Sequence, residues 1–365
     1  MHLMNSRKGI VSIVGARPNF IKLAPIYRRL KGKVTHTIIH TGQHYDFEMS
    51  EIFFNEFNLP KPDFNLEIGS GSSGYQVGEM IKQTEKVINE HEFDLAIVYG
   101  DTNSTFAGAF AAFKSNVKTA HVEAGIRSFD RNMPEEINRI LTDNLSEYLF
   151  APTDTAVENI KRANLSGQIL QTGDLSVEIL AEYLKISNHS QILSMLDLDP
   201  DSYILFTMHR AENTSQAENL LSVVNTMERI NHIKIVFPIH PRTRSILKLN
   251  NLYERILACK NVKIIQPIGY IDFIQLMRNS TKIVTDSGGI QKESYLLSVP
   301  CITIRNNTEW IETIQEGWNT LVGTDSEKII RAIKTWYPSN ANRKQIFGKG
   351  DTSKVISDKI LDIIG

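Results

Sequence analysis

Residues 121–139 read HVEAGIRSFDRNMPEEINR, and the way this stretch joins its neighbours decides the fold. It gathers four acids (Glu123, Asp130, Glu135, Glu136), three arginines (Arg127, Arg131, Arg139) and His121 within nineteen positions. An ordinary surface loop can be that rich in charge. Here, however, the stretch follows a short apolar run at 117–122, which reads as a strand running out into a loop at Glu123-Ala124-Gly125. It then enters a helix at Met133-Pro134-Glu135-Glu136, with proline at the first helical position and acids where the helix dipole favours them. Charged groups at the carboxyl end of a strand, facing a helix start, are where open α/β sheets hold their ligands.

Toward the N-terminus the same unit repeats. Residues 9–14 form a buried-type strand, followed by Gly15-Ala16-Arg17-Pro18-Asn19-Phe20-Ile21-Lys22 and a helical run through Leu23, Ile26, Tyr27 and Leu30. A glycine turn between a first strand and a first helix is a phosphate-binding position, and Arg17 and Lys22 place two cations there. The turn is not GxGxxG, so no dinucleotide cofactor is expected. A strand at 35–40 leads to Thr41-Gly42-Gln43-His44 and a helix over 49–57. Residues 68–74 read as a flexible lip before a helix at 75–91. A strand at 95–99 ends in Gly100-Asp101-Thr102, ahead of a small-residue helix at 106–113, and a helix at 135–147 leads to a strand at 148–151. Residues 1–172 are therefore expected to be one doubly wound domain.

Residues 173–200 read as an interdomain region, and 201–345 as a second α/β domain. Its strands end in His209-Arg210 (after 203–208), His240-Pro241-Arg242 (after 234–239), Pro267-Ile268-Gly269-Tyr270 (after 262–265), Asp286-Ser287-Gly288-Gly289 (after 282–285) and Arg305 (after 300–304). Five strands thus deliver polar residues to one sheet edge. The Ser287-Gly288-Gly289 turn is the clearest anion cradle, because backbone N–H groups at a glycine-lined helix start can approach a phosphate closely. Glu293 is placed to accept from vicinal hydroxyls such as a ribose, and Tyr270 or Phe273 is placed to stack on a base.

The bulk numbers exclude several classes. At 365 residues and 41.3 kDa, two domains are the default. A net charge of -1 gives no general electrostatic case for nucleic acid or an anionic membrane surface. No apolar run reaches the ~18 residues a membrane span needs, and the N-terminal segment does not read as a signal peptide. Two cysteines, Cys259 and Cys301, suggest a reduced compartment, so the cytoplasm is expected. His40 and His44 have i, i+4 spacing but no third ligand nearby, so no metal site is expected.

In order along the chain, Gly15-x-Arg17-Pro18-x-x-x-Lys22, Thr41-Gly42-Gln43-His44, Gly100-Asp101-Thr102, His121-Val122-Glu123-Ala124-Gly125-x-Arg127 and Pro134-Glu135-Glu136-x-Asn138-Arg139 form one series. His209-Arg210-x-Glu212, Thr285-Asp286-Ser287-Gly288-Gly289-x-Gln291-x-Glu293, Thr308-Glu309 and Gly348-x-Gly350-Asp351 complete it. With these motifs the chain resembles the non-hydrolysing UDP-N-acetylglucosamine 2-epimerases over nearly all its length. The resemblance implies two Rossmann-like domains facing across a cleft (the glycosyltransferase-B arrangement), with residues 346–365 as a crossover helix on the first domain. It implies interconversion of UDP-N-acetylglucosamine and UDP-N-acetylmannosamine through 2-acetamidoglucal, without a cofactor, to supply surface polysaccharide precursors. It makes Asp101, Glu123, Glu135 and His209 the catalytic groups. Arg17, Lys22, Arg139, Tyr270, Phe273, Ser287, Gly288, Gly289 and Glu293 become the substrate-binding set. Gln43, Arg210 and His240 match parts of a regulatory UDP-sugar site found in some members, and a homodimer is expected as in relatives.

The departures are informative. Thr308-Glu309-Trp310-Ile311-Glu312 stands where many members read Thr-Glu-Arg-Pro-Glu, and Gly15-Ala16-Arg17-Pro18-Asn19 where they read Gly-Thr-Arg-Pro-Glu. Together with Gln291-Lys292-Glu293, these look similar to the branch acting on UDP-2,3-diacetamido-2,3-dideoxyglucuronate. A UDP-dependent glycosyltransferase is the more distant alternative, because it would share UDP recognition without needing the acid-rich central stretch.

Overall fold

The computed structural model describes residues 9–43, 54, 57–69, 71–339 and 342–365. His44 and most of the helix expected at 49–57 lie outside the described residues. The chain divides into two compact units, one running to Ile179 and taking in Gln345–Gly365, the other Leu180–Lys344.

The first unit is built on a parallel sheet of β1 (Gly9–Val14), β2 (Thr35–His40), β3 (Phe64–Asn65), β4 (Leu95–Tyr99), β5 (Thr119–Val122), β6 (Tyr148–Ala151) and β7 (Gln168–Gln171). Their spatial order is β3-β2-β1-β4-β5-β6-β7. All five residues of β4 are buried, as in a strand covered by helices on both faces. One such cover is the helix Asn103–Lys114, whose Ala109, Ala111 and Ala112 pack with Val11, Ile13 and Val98 of the sheet. The helix Thr352–Ile364 belongs to this unit and lies on the helix Arg17–Leu30, where the Arg29 Nε donates to the Ser353 hydroxyl at 2.5 Å. Glu178 in turn accepts from the Ser353 N–H at 2.6 Å.

The second unit repeats the plan with β8 (Tyr203–Thr207), β9 (Lys234–Pro238), β10 (Val262–Ile265), β11 (Lys282–Thr285), β12 (Cys301–Thr303) and β13 (Asn319–Leu321). These strands are also parallel, in the order β10-β9-β8-β11-β12-β13. Its core joins Ile204, Phe206 and Val284 of the sheet to Leu220, Val223 and Met227 of the helix Ala217–Arg229. In both units the strand order reverses once, between β1 and β4 and between β8 and β11. Those reversals are where doubly wound sheets bind ligands.

The strands expected from apolar runs are present, the edge strand β10 included, and three short outer ones lie outside those expectations. β3, β7 and β13 are edge strands of two to four residues with half-buried or exposed positions, so they lack the continuous apolar signal. The expected flexible lip at 68–74 is also shorter than its composition suggests. The helix Ser73–Glu90 begins inside it, because the Ser72 hydroxyl accepts from the Tyr75 N–H and caps the first turn.

Candidate functional site

In the first unit, Asn19 ties the strand-order reversal together. Its side-chain oxygen accepts from the N–H groups of Gly15 and Ala16 at 3.1 and 3.0 Å, and its amide donates to the Tyr99 carbonyl at 2.7 Å. The turn after β1 is thereby held against the end of β4, where Gly100 takes a positive φ of 68° and turns the chain so that Asp101 follows. At the end of β5, Glu123 adopts φ 77°, a conformation that costs a residue with a Cβ free energy and clusters at functional sites.

Five charged side chains converge here. Lys22 pairs with Glu123 at 2.8 Å, and Arg139 pairs with Asp101 at 2.8 Å and with Glu136 at 2.8 Å. The Asp101 side chain is about one-third exposed (32 %), whereas Arg139 is almost fully buried. Desolvation pushes the Asp101 carboxyl above the usual aspartate range. Arg139 opposes that shift, Glu123 and Glu135 add to it, and Lys22 opposes it again. A carboxyl held in this way is suited to exchanging a proton. Glu135 stands in the first turn of the helix Pro134–Leu145, and its charge reaches Asp101. Arg17 opens the helix Arg17–Leu30. The Gln43 side-chain oxygen accepts from the N–H and hydroxyl of Ser104 at 3.0 and 2.7 Å.

In the second unit the organising group is Asp286, at the end of β11 and fully buried. It accepts from the N–H groups of His209 (3.1 Å) and Arg210 (2.9 Å) and from the Asn213 amide (3.1 Å), folding the chain after β8 around one carboxylate. The His209 ring lies 3.5 Å from Asp286, with 42 % of its side chain exposed, and its centroid is 6.0 Å from that of His240. Ser287 precedes the helix Gly288–Leu297, so the N–H groups of Gly288 and Gly289 lie in its first turn. A Cβ at Gly288 would stand 2.0 Å from Glu309 Oε1, so the carboxylate or the helix start would have to shift to admit one. Glu309 is itself held by Arg305 at 2.9 Å and approached by Arg210 at 3.6 Å. The Tyr270 hydroxyl donates to Glu293 at 2.7 Å, and Phe273 follows on the same helix, Tyr270–Arg278.

The structure therefore gathers Lys22, Asp101, Glu123, Glu135 and Arg139 in one unit, and His209, Arg210 and His240 in the other. Four partners carry no role in the sequence reading: Asp143, Asp286, Glu309 and Glu136. Asp286 and Glu309 lie inside quoted motifs, and that is the signal that marks them. Asp143, on the far side of the helix Pro134–Leu145 from its proline start, has no such signal. Among the described residues no group of three or more His, Cys, Asp or Glu is arranged to hold a metal ion. No helix among them is long and apolar enough to cross a membrane.

Two Rossmann-like parallel α/β units, each with a charged site where its strand order reverses, define the class. Within it, the family model for UDP-N-acetylglucosamine 2-epimerase matches residues 28–361, and the chain belongs to that family of isomerases. A UDP-N-acetylglucosamine 2-epimerase homolog from Methanococcus maripaludis is 50% identical over 97% of this chain and 99% of its own length. A UDP-2,3-diacetamido-2,3-dideoxy-D-glucuronate 2-epimerase from Pseudomonas aeruginosa is 40% identical over 96% of this chain and 98% of its own. The crystal structure of the Methanocaldococcus jannaschii UDP-GlcNAc 2-epimerase, in complex with UDP-GlcNAc and UDP, superposes with a TM-score of 0.91. It is 45% identical and covers 97% of this chain and 99% of its own. The family inferred from the ordered motifs is thus borne out, as is the two-sheet α/β class.

Proposed function

We propose that this protein interconverts UDP-N-acetylglucosamine and UDP-N-acetylmannosamine. The observation that carries the reading is the cluster of Asp101, Glu123 and Glu135 with Lys22 and Arg139 at the ends of β4 and β5. The sugar C2–H has no adjacent carbonyl, so its proton is not removed to a simple enolate. A carboxylate takes that proton instead, the C–H electron pair becomes the C1–C2 double bond, and the C1–O bond breaks with its electrons leaving on UDP. Returning the proton to the opposite face of 2-acetamidoglucal, with UDP re-adding at C1, completes the inversion. A carboxyl raised above its ordinary range, as Asp101 is, suits the protonating step.

The second unit's groups take the other half of the work. N–H groups of Gly288 and Gly289, with Ser287 and His209, hold the departing diphosphate, favoured by the helix dipole. Glu293, oriented by Tyr270, receives the ribose hydroxyls, and Phe273 stacks on the base. Lys22 is engaged with Glu123 and Arg139 with Asp101, so both serve the acids first. Gln43, Arg210 and His240 form the regulatory UDP-sugar contacts of this reading. The enzyme works in the cytoplasm on precursors of surface polysaccharide. A homodimer forms through the exposed Phe113 and Leu141 of the helices Asn103–Lys114 and Pro134–Leu145, which light scattering measures directly.

A second reading has one specific observation behind it. Lys292 lies 4.2 Å above the Trp310 ring, at the two positions where the motif departs from its common form. On that reading the substrate is UDP-2,3-diacetamido-2,3-dideoxyglucuronate. The test is to incubate the protein in D2O with each UDP-sugar separately. Deuterium at C2 with a gluco/manno mixture from UDP-N-acetylglucosamine is the expected result. Exchange with the uronate alone selects the second reading. UDP release only when an acceptor is added makes the protein a transferase.

A further inference from the structure

Beneath the carboxylates at the ends of β4 and β5 lies a buried charged layer that the reaction as proposed does not use. His121 and Asp143 are both 0% exposed. The His121 Nδ1 is 2.7 Å from Asp143 Oδ1, and its Nε2 is 2.7 Å from the Gly100 carbonyl oxygen. Both ring nitrogens therefore face oxygen acceptors. The ring thus bridges the helix Pro134–Leu145 and the backbone at the end of β4. The other Asp143 oxygen takes the Arg127 guanidinium at 2.6 Å and the Gly125 N–H at 3.1 Å.

The backbone groups held by this layer flank the acids. Gly100 immediately precedes Asp101, whose own carbonyl is fixed by the Asn138 amide at 3.0 Å, and Gly125 follows Glu123 by two residues. Glu123 sits in a left-handed conformation, which persists only where its surroundings over-determine it. We infer that His121, Asp143 and Arg127 are positioning residues: they lock the turns after β4 and β5 so that Asp101 and Glu123 share one geometry. This inference rests on the epimerase reading above.

Desolvation would raise the Asp143 carboxyl, but the His121 bond and charge, with Arg127, bring it below the usual aspartate range. The groups that bear on Asp101 are Arg139, Glu123, Glu135 and Lys22. Asp143→Asn keeps the shape and an acceptor for Gly125. It removes the charge that holds the Arg127 guanidinium and weakens the bond that fixes the His121 ring. The expected result is a roughly 10- to 100-fold lower kcat for C2 deuterium exchange with a KM within about threefold of wild type.

His121→Gln, which keeps an amide donor toward Gly100 without a charge, is the second variant. It is expected to exceed His121→Ala in kcat, with KM again within about threefold of wild type. Wild-type kcat in both Asp143→Asn and His121→Gln overturns the inference. So does a fall in activity, UDP affinity and Tm together, which is what a purely structural role gives. Wild-type protein that exchanges no deuterium from either UDP-sugar removes the epimerase reading itself, an outcome distinct from wild-type exchange with unaltered variants.

Discussion

The two units share one topology and treat charge in opposite ways. At the reversal in the first, side chains of both signs are packed against one another: Lys22 on Glu123, Arg139 shared by Asp101 and Glu136, His121 and Arg127 on Asp143. At the reversal in the second, the buried carboxylate Asp286 is met chiefly by backbone N–H groups, Glu309 is held by Arg305, and the adjoining helix start is bare glycine. Dense side-chain pairing tunes proton affinity, whereas aligned backbone dipoles grip an anion whatever the pH. On the reading proposed above, the first unit handles protons and the second holds the anion, and substitutions should separate the two.

The largest separation is expected from Glu123→Gln. It removes a proton-handling group and leaves the glycine turn alone, so C2 exchange should fall by about 10³-fold with the UDP dissociation constant within about twofold. Deuterium uptake by NMR beside calorimetric UDP titration decides it; wild-type exchange would take Glu123 out of the reaction. Gly288→Ala is the mirror experiment. Its Cβ would meet Glu309 Oε1 at 2.0 Å, so the carboxylate or the helix start must move. UDP affinity should drop by about 2–3 kcal/mol, while Asp101 and Glu123 keep their own contacts. An unchanged affinity would mean that the diphosphate does not use this turn.

Glu293→Ala should weaken UDP binding by ~1–3 kcal/mol through lost charge-assisted hydrogen bonds, and Tyr270→Phe by ~0.5–1.5 kcal/mol, since only the bond orienting Glu293 is removed. Equal effects from the two would place Tyr270 itself on the ligand.

The smallest expected effect is on stability. Because the folded-state pKa of Asp101 is raised, chiefly by desolvation, the folded protein holds that proton more tightly than the unfolded chain does. Ionising it therefore subtracts stability as pH climbs from the ordinary aspartate range through the folded value. Asp101→Asn should be at least as stable as wild type at neutral pH, with the gap closing on acidification, even as exchange is lost. Denaturant midpoints across pH measure this. A variant less stable at neutral pH would show that the Arg139 pair outweighs desolvation.

The parts of this chain legible in one dimension are those with local causes. β1, β4, β8 and β11 show themselves as apolar runs because both faces of each central strand are covered. Asp101, Glu123, His209 and Ser287 show themselves because each directly follows such a run. Partners brought from elsewhere do not. His121 and Asp143 are 22 positions apart, and nothing local marks Asp143 among the polar residues of an amphipathic helix. Arg139 reads as a ligand-binding cation, yet its guanidinium lies on Asp101 and Glu136. The tight seat of Glu309 at Gly288 joins residues far apart in sequence, so a glycine that looks merely permissive proves closely packed against a carboxylate.

From residue order alone came the alternation of strands and helices, the two doubly wound units, and which strand ends carry acids or glycines. Those features follow from backbone periodicity and from short-range turn chemistry, while the family came from the resemblance of the ordered motifs. Only the folded chain decided which charges meet: Lys22 with Glu123, Arg139 with Asp101, and His121 held between Asp143 and the Gly100 carbonyl. Electrostatic interaction depends on distance and burial, and both are set by how strands remote in sequence come to lie side by side.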